Sequence, residues 1–125
     1  MINVKIYESA ENYLETIYIL NKRNGSVRSI DIASELGYSK PSVSVAMKNL
    51  RKNEFIDVNA DGNIILLPKG LEIAARMYER HTILCDFLVS LGVSEEIATE
   101  DACKMEHVLS HDSFCAIKKH MESKK

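Results

Sequence analysis

No run of about 18 uninterrupted apolar residues occurs in this chain, so no segment reads as a membrane-spanning helix. The opening residues, MINVKIYESAENY, carry charges where a secretory signal needs an apolar centre, and a cytoplasmic location is expected. Cysteine is scarce: Cys85, Cys103 and Cys115 are odd in number and widely spaced, which argues against a disulfide framework and for free thiols or a metal ligand. No Cys-x-x-Cys pair exists, which removes the zinc-finger spacing. Internal repeats and low-complexity tracts are absent. Net charge is only −2, so overall charge does not point to nucleic acid.

What is present is a sizeable apolar fraction. Of 125 residues, 46% are hydrophobic, enough for one compact domain or two small ones that share an interface. The charge is unevenly spread. Residues 1–70 hold 9 Lys/Arg against 8 Asp/Glu, whereas residues 71–125 hold 7 against 10. Between Tyr38 and Ile56, Lys40, Lys48, Arg51 and Lys52 face Glu54 alone. This local basic stripe suits a small DNA footprint, and equally an ordinary solvated helix face.

Apolar periodicity orders the elements. Tyr13, Leu14, Ile17, Tyr18 and Leu20 predict a helix over 9–22 with Ser9 as N-cap, stopped by Asn24-Gly25. A short helix follows over 29–36, with Ile30, Ile32, Ala33 and Leu36 inward and Gly37 ending it. A third begins near Ser39, with Pro41 in its first turn and Val43, Ala46, Met47 and Leu50 on its inner face. Residues 55–58 and 64–67 read as strands around the polar turn 59–63. Pro68 breaks the pattern, and a long helix is expected over 69–91, carrying Leu71, Ala74, Ala75, Tyr78, Leu84, Phe87, Leu88 and Leu91. Ser94, followed by Glu95 and Glu96, opens a helix expected to end near Ser110. A last helix covers 112–122, and the final lysines are expected to fray.

Helix, short helix, glycine turn, helix and hairpin is the winged helix-turn-helix order. Ala33, then Gly37, then Val43 supply the small, turn and branched residues at the spacing this motif requires. The helix from Ser39 to Lys52 is then the recognition helix, entering the major groove N-terminal end first. Ser39, Lys40, Pro41, Ser42 and Ser44 present its leading outer side, and Val45 is suited to a thymine methyl group. Arg28, Lys48, Arg51 and Lys52 are candidate phosphate contacts. A protein-interaction module is the competing reading. A lone module makes few phosphate contacts, so a homodimer on two-fold symmetric double-stranded DNA is expected.

A second signal lies downstream. Cys103, Glu106 and His107 stand at i, i+3 and i+4, one face of a continuous helix. Thiolate, carboxylate and imidazole together make half of a transition-metal site; the same three also read as a buried cysteine beside a surface Glu-His pair. Further ligands can come from Asn12 and Glu15, otherwise a solvent face, and from His81, otherwise a half-buried histidine bonded to a carbonyl.

The blocks Glu11-Asn12-Tyr13-Leu14-Glu15-Thr16-Ile17-Tyr18, Arg80-His81 and Asp101-Ala102-Cys103-Lys104-Met105-Glu106-His107-Val108-Leu109-Ser110 resemble the diphtheria-toxin-repressor/manganese-transport-repressor family in order and separation. The resemblance runs to about residue 120 and implies a homodimeric repressor that binds operator DNA when loaded with Fe²⁺ or Mn²⁺. It implies a mainly α fold with a small β-hairpin: a winged helix-turn-helix domain over 1–70 and a helical dimerisation and metal-binding domain over 71–125. Glu106, His107 and His81 match ligand positions of both branches, Cys103 an iron-branch ligand, and Glu15 a manganese-branch ligand. Asn12 stands where the iron branch has Met and the manganese branch Asp. Cys85 and Thr99 replace a Glu and a His of the iron branch's ancillary site. No C-terminal SH3-like domain is expected, as in the short manganese-type members.

The thiolate favours Fe²⁺ over Mn²⁺, with Zn²⁺, Co²⁺ and Ni²⁺ able to bind in vitro. The expected dimer face uses Ile97, Met105, Val108, Leu109, Phe114 and Ile117. Neither an enzymatic role, nor an organic cofactor, nor a membrane partner is expected. The alternatives are a thiol redox switch on Cys85, Cys103 or Cys115, a small metalloenzyme, and a metal-buffering protein.

Overall fold

The computed structural model describes residues 4–123, with side chains from Ser9 onward; Lys124 and Lys125, expected to fray, lie outside the described residues, as do residues 1–3. The elements run α1 (Val4–Asn24), α2 (Ser29–Leu36), α3 (Lys40–Lys52), β1 (Ile56–Val58), β2 (Ile64–Leu66), α4 (Pro68–Ser90), α5 (Glu95–Met105) and α6 (His111–Ser123). This is the mainly α fold with one hairpin that the sequence predicts. Among the described residues no helix is long and apolar enough to cross a membrane. The chain divides into two compact units, Met1–Ala75 and Arg76–Lys125.

The first unit is built on Leu14, Ile17 and Leu20 of α1, Ile32 and Ala33 of α2, Val43, Met47 and Leu50 of α3, Ile56 and Ile64 of the hairpin, and Ala74 of α4. Burying each large aliphatic side chain stabilises the unit by about 1.5–3 kcal/mol. α1 begins at Val4, before the expected start, so Ser9 is a mid-helix residue and not a cap. Nothing between Val4 and Ser9 is a glycine or proline, and the helix continues through. Gly25, at φ 82°, ends it. Arg28 precedes α2, and its backbone N–H donates to Asp31 Oδ2 at 2.9 Å. Gly37 closes α2 in the left-handed region at φ 70° and donates to the Ala33 carbonyl. Ser39 caps α3, its Oγ accepting from the Ser42 N–H at 3.3 Å.

β1 and β2 pair antiparallel, with Ile56 opposite Leu66 and Val58 opposite Ile64. Ile56 and Ile64 turn inward while Asp57 and Ile65 turn outward, the period of two expected of a half-buried strand. Asn59 organises the tip: its Oδ1 accepts from the N–H groups of Asp61 and Asn63, both at 3.0 Å. The Ile64 N–H reaches beyond the hairpin to the Val27 carbonyl at 2.8 Å.

Pro68 is the first residue of α4 and not a breaker outside it; its missing N–H is harmless there. Gly70 packs against β1, where an added Cβ would run into the Phe55 carbonyl oxygen, itself bonded to the Leu67 N–H at 3.0 Å.

The second unit consists of the remainder of α4 with α5 and α6. Met77, Arg80, Leu84, Ala98, Ala102, Glu106 and Phe114 are buried in it. The expected inward set differs in part: Leu71, Tyr78 and Leu91 are exposed, and Met77 takes a buried place. Ser94 caps α5, accepting from the Ile97 N–H at 3.3 Å. Phe114 packs under the Arg80 guanidinium, 5.1 Å from its ring centroid, inside this unit and unavailable to a partner surface. α6 is further tied to α4 by Lys118 donating to Glu79 at 3.0 Å, which holds the Lys118 ammonium pKa up, and by the edge-to-face pair Phe87–His120.

Gly70→Ala is expected to destabilise the protein by about 1–3 kcal/mol through this overpacking, because a backbone carbonyl cannot rotate away as a side chain can. A urea unfolding midpoint no lower than that of the unsubstituted protein would refute the close approach.

Candidate metal centre and nucleic-acid interface

α5 stops at Met105, short of the expected end near Ser110. Glu106 is its C-cap, and His107 lies in the turn that follows. Glu106 keeps α-helical backbone angles, φ −61° and ψ −23°, and its N–H bonds the Ala102 carbonyl, so the winding of α5 carries through to it. Cys103 is exposed on the last turn of α5, while Glu106 is wholly buried.

The buried carboxylate is where the second unit concentrates its polar chemistry. His81 Nδ1, from α4, lies 3.1 Å from Glu106 Oε2. His107 Nε2 lies 3.3 Å from Oε1. A carboxylate taken out of water is costly unless paired, hydrogen-bonded or bound to a cation. Imidazole nitrogen and carboxylate oxygen, paired here at each of the two Glu106 oxygens, are borderline donors suited to divalent first-row ions. Separations of 3.1 and 3.3 Å between donors are also those of neighbouring ligands around an ion with bonds of about 2.1–2.2 Å. The residues present fit a divalent metal ion.

The other expected ligands lie as follows. Cys103 lines a shallow depression together with His81, Thr99, Glu100 and Lys104. Cys85 and Thr99, which replace ancillary-site residues, face each other across α4 and α5 with Sγ 3.6 Å from Oγ1. In the first unit, Glu15 is buried at 4% exposure and Asn12 half-buried, its backbone carbonyl accepting from Thr16 Oγ1 at 2.8 Å. Neither of the two is the open solvent face that was the bland reading. None of the three cysteines is in a disulfide. Arg80 is the residue whose role sequence reasoning missed: it is 8% exposed, and its Nη1 donates to the carbonyls of Glu106 at 3.1 Å and Leu109 at 2.8 Å. An arginine followed by a histidine inside an otherwise apolar helical face was the available signal.

The nucleic-acid face belongs to the first unit. Val43, Met47 and Leu50 hold α3 in the core, which leaves Lys40, Pro41, Ser42, Ser44, Val45, Lys48, Arg51 and Lys52 exposed. Val45 is 59% exposed. Ser39 is committed in part to capping, and its Oγ also donates to Ser42 Oγ at 2.8 Å. Two of the basic residues are braced on the hairpin: Arg51 pairs with Asp57 at 3.1 Å, and Arg28 Nε donates to Asn63 Oδ1 at 3.4 Å. Tyr38, in the turn between α2 and α3, is exposed and set edge-to-face against Tyr13 at 6.1 Å. Burial, reinforced by Tyr38, pushes the Tyr13 phenol up, so it stays neutral.

Comparison with known proteins gives a consistent picture. The sequence model described as the N-terminal DNA binding domain of iron dependent repressors matches residues 5–64. The one described as their metal binding and dimerisation domain matches residues 67–125. Transcriptional regulator MntR of Salmonella typhimurium is 38% identical over 109 residues, 87% of this chain and 69% of that protein. Among solved structures, the manganese regulator SloR aligns with a TM-score of 0.80 and 26% identity over 90% of this chain. A manganese-dependent transcriptional repressor in complex with manganese aligns at 0.83 and 25% over 90%. The chain spans about half the length of these two structures, 53% and 52%.

Glu106→Gln keeps shape and removes charge. At Mn²⁺ one hundred times its dissociation constant, the unsubstituted protein should gain about 2.7 kcal/mol of stability and the variant close to none. Equal Mn²⁺-induced shifts in calorimetry would show that Glu106 holds no ion.

Proposed function

Because the chain belongs to the iron-dependent repressor family, we propose that it is a metal-dependent transcriptional repressor that binds a palindromic operator as a homodimer. DNA binding is assigned to residues 1–70, and dimerisation and metal binding to residues 71–125. The observation that carries the reading is the buried Glu106 carboxylate between His81 and His107, in a chain whose other unit is a winged helix.

The proposed ligands are His81, Glu106 and His107, joined by Glu15. Asn12 contributes at most a neutral amide oxygen, and Cys103 a thiolate from its exposed position. When bound, the ion supplies positive charge that offsets the buried carboxylates. The chain's residues do the rest. Arg28, Lys40, Lys48, Arg51 and Lys52 meet phosphates; Ser39, Pro41, Ser42 and Ser44 allow close backbone approach at the head of α3; Val45 offers a methyl contact. Ligands drawn from both units make operator affinity and metal affinity reciprocally dependent, by about 1–3 kcal/mol. Exposed Ile97 and Val108 supply apolar surface for the homodimer. A cytoplasmic location accompanies this function.

Mn²⁺ is placed ahead of Fe²⁺ as the activating ion. The case for Fe²⁺ rested on Cys103, which is exposed, whereas Glu15 and Glu106 are buried oxygen donors of the kind Mn²⁺ prefers. Two of the similar structures are also named as manganese regulators.

Gel retardation with defined Mn²⁺, Fe²⁺ and Zn²⁺, each with and without chelator, tests the function. Retardation is expected with metal and lost with chelator; retardation indifferent to chelator would sink the proposal. Release by peroxide and not by chelator would support the thiol switch, which the exposed Cys103 and Cys115 favour. Cys103→Ala should retain Mn²⁺-dependent retardation while weakening the Fe²⁺ response. Lys48→Ala should lower the slope of log affinity against log salt by about 0.9, as expected for one lost phosphate contact; an unchanged slope would remove Lys48 from the interface.

A further inference from the structure

We infer that Arg80 is the positioning residue of the metal centre: it ties down the turn that follows α5 and thereby holds Glu106 and His107 where they can bind. The inference rests on the function proposed above. No local signal explains the helix end. Residues 106–110, Glu-His-Val-Leu-Ser, contain neither glycine nor proline, and the periodicity reads as helix to Ser110. In a continuing helix the Glu106 carbonyl would accept from the N–H of residue 110. Here Arg80 Nη1 takes that carbonyl at 3.1 Å and the Leu109 carbonyl at 2.8 Å. A guanidinium at a helix C-terminus also meets the negative end of the helix dipole.

The chain keeps Arg80 in place from below. Phe114, 4% exposed, lies under the guanidinium at 5.1 Å. Nε makes no hydrogen bond, and among the described residues no carboxylate pairs with the group. A buried cation without a carboxylate partner is expensive to keep for stability alone. Its bonds go to two backbone carbonyls, one of them belonging to the residue whose side chain is the central ligand. Arg80 also neighbours His81 on α4, so one turn of α4 supplies both a proposed ligand and the anchor for two others. The turn itself is held by the Leu109 N–H on the Met105 carbonyl at 3.0 Å; without the anchor the Glu106 and Leu109 carbonyls lose their partner and the turn is free to shift.

The test compares unsubstituted protein with Arg80→Leu, Arg80→Lys, Phe114→Leu and His107→Ala. Mn²⁺ affinity is read by electron paramagnetic resonance, Co²⁺ ligand geometry by its visible absorption, and the backbone of residues 106–109 by Cα chemical shifts without metal. Arg80→Leu should weaken Mn²⁺ binding about 10–100-fold, in the range of lost supporting contacts at metal sites. It should also change the Co²⁺ spectrum and move the metal-free shifts of residues 106–109. Arg80→Lys, whose ammonium can reach carbonyls, should restore most of the affinity and the original spectrum. An Arg80→Leu protein with unsubstituted affinity and unmoved shifts overturns the inference. If that variant loses its fold by circular dichroism, Phe114→Leu decides: several-fold weaker Mn²⁺ binding with an altered Co²⁺ spectrum supports the role, and properties equal to unsubstituted protein overturn it. Failure of the unsubstituted protein to bind either ion, or His107→Ala binding as well as it does, overturns the metal reading itself and is distinct from failure at Arg80 alone.

Discussion

Glu106 carries a carboxylate to a point that water does not reach, and the second unit is arranged around making that tolerable. His81 approaches one oxygen and His107 the other. Arg80 holds the same residue by its main chain, and Phe114 holds Arg80. A group of this kind is rarely retained for stability, since an apolar residue of similar size would be easier to bury. Its placement makes sense as a demand for positive charge, and two imidazoles beside it make a divalent ion the natural source.

The first unit solves a different problem, which is to expose polar and basic side chains on a helix without losing the helix. Val43, Met47 and Leu50 anchor α3 from one side. Ser39 satisfies an N-terminal N–H, and Gly37 lets the chain turn in a conformation that other residues resist. The outer face is then free to be chosen for recognition, including the exposed Val45. At the surface, Asp57 and Asn63 of the hairpin lie within bonding distance of Arg51 and Arg28.

Local signals in the sequence were strong wherever a boundary depends on residues close to it. Gly37, Ser39 and Ser94 mark their boundaries because caps and left-handed turns are local physics. The hairpin was legible for the same reason: Asn59 to Asn63 contains its own hydrogen bonds. Where nothing local decided, reading failed in instructive ways. Ser9 looked like a start because serines cap helices, but no breaker precedes it and α1 continues back to Val4. Phe114 looked like interface material because it is apolar on a short amphipathic helix; its partner, Arg80, lies 34 residues away in sequence.

The candidate site divides along the same line. Residue types alone determined that the chain holds carboxylate, imidazole and thiol donors, and helical spacing brought Cys103, Glu106 and His107 to notice. Tertiary structure decided which of them are buried together. Spacing at i, i+3 and i+4 brings residues to one side of a helix but does not say which of them the rest of the fold buries: Glu106 meets His81 of α4, and Cys103 is left exposed. The sequence by itself therefore determined the winged helix, the helical second unit and the inventory of candidate donor residues. Only the folded chain decided that the Glu106 carboxylate is buried between His81 and His107 while Cys103 stays exposed, since that choice depends on a contact between residues 25 positions apart.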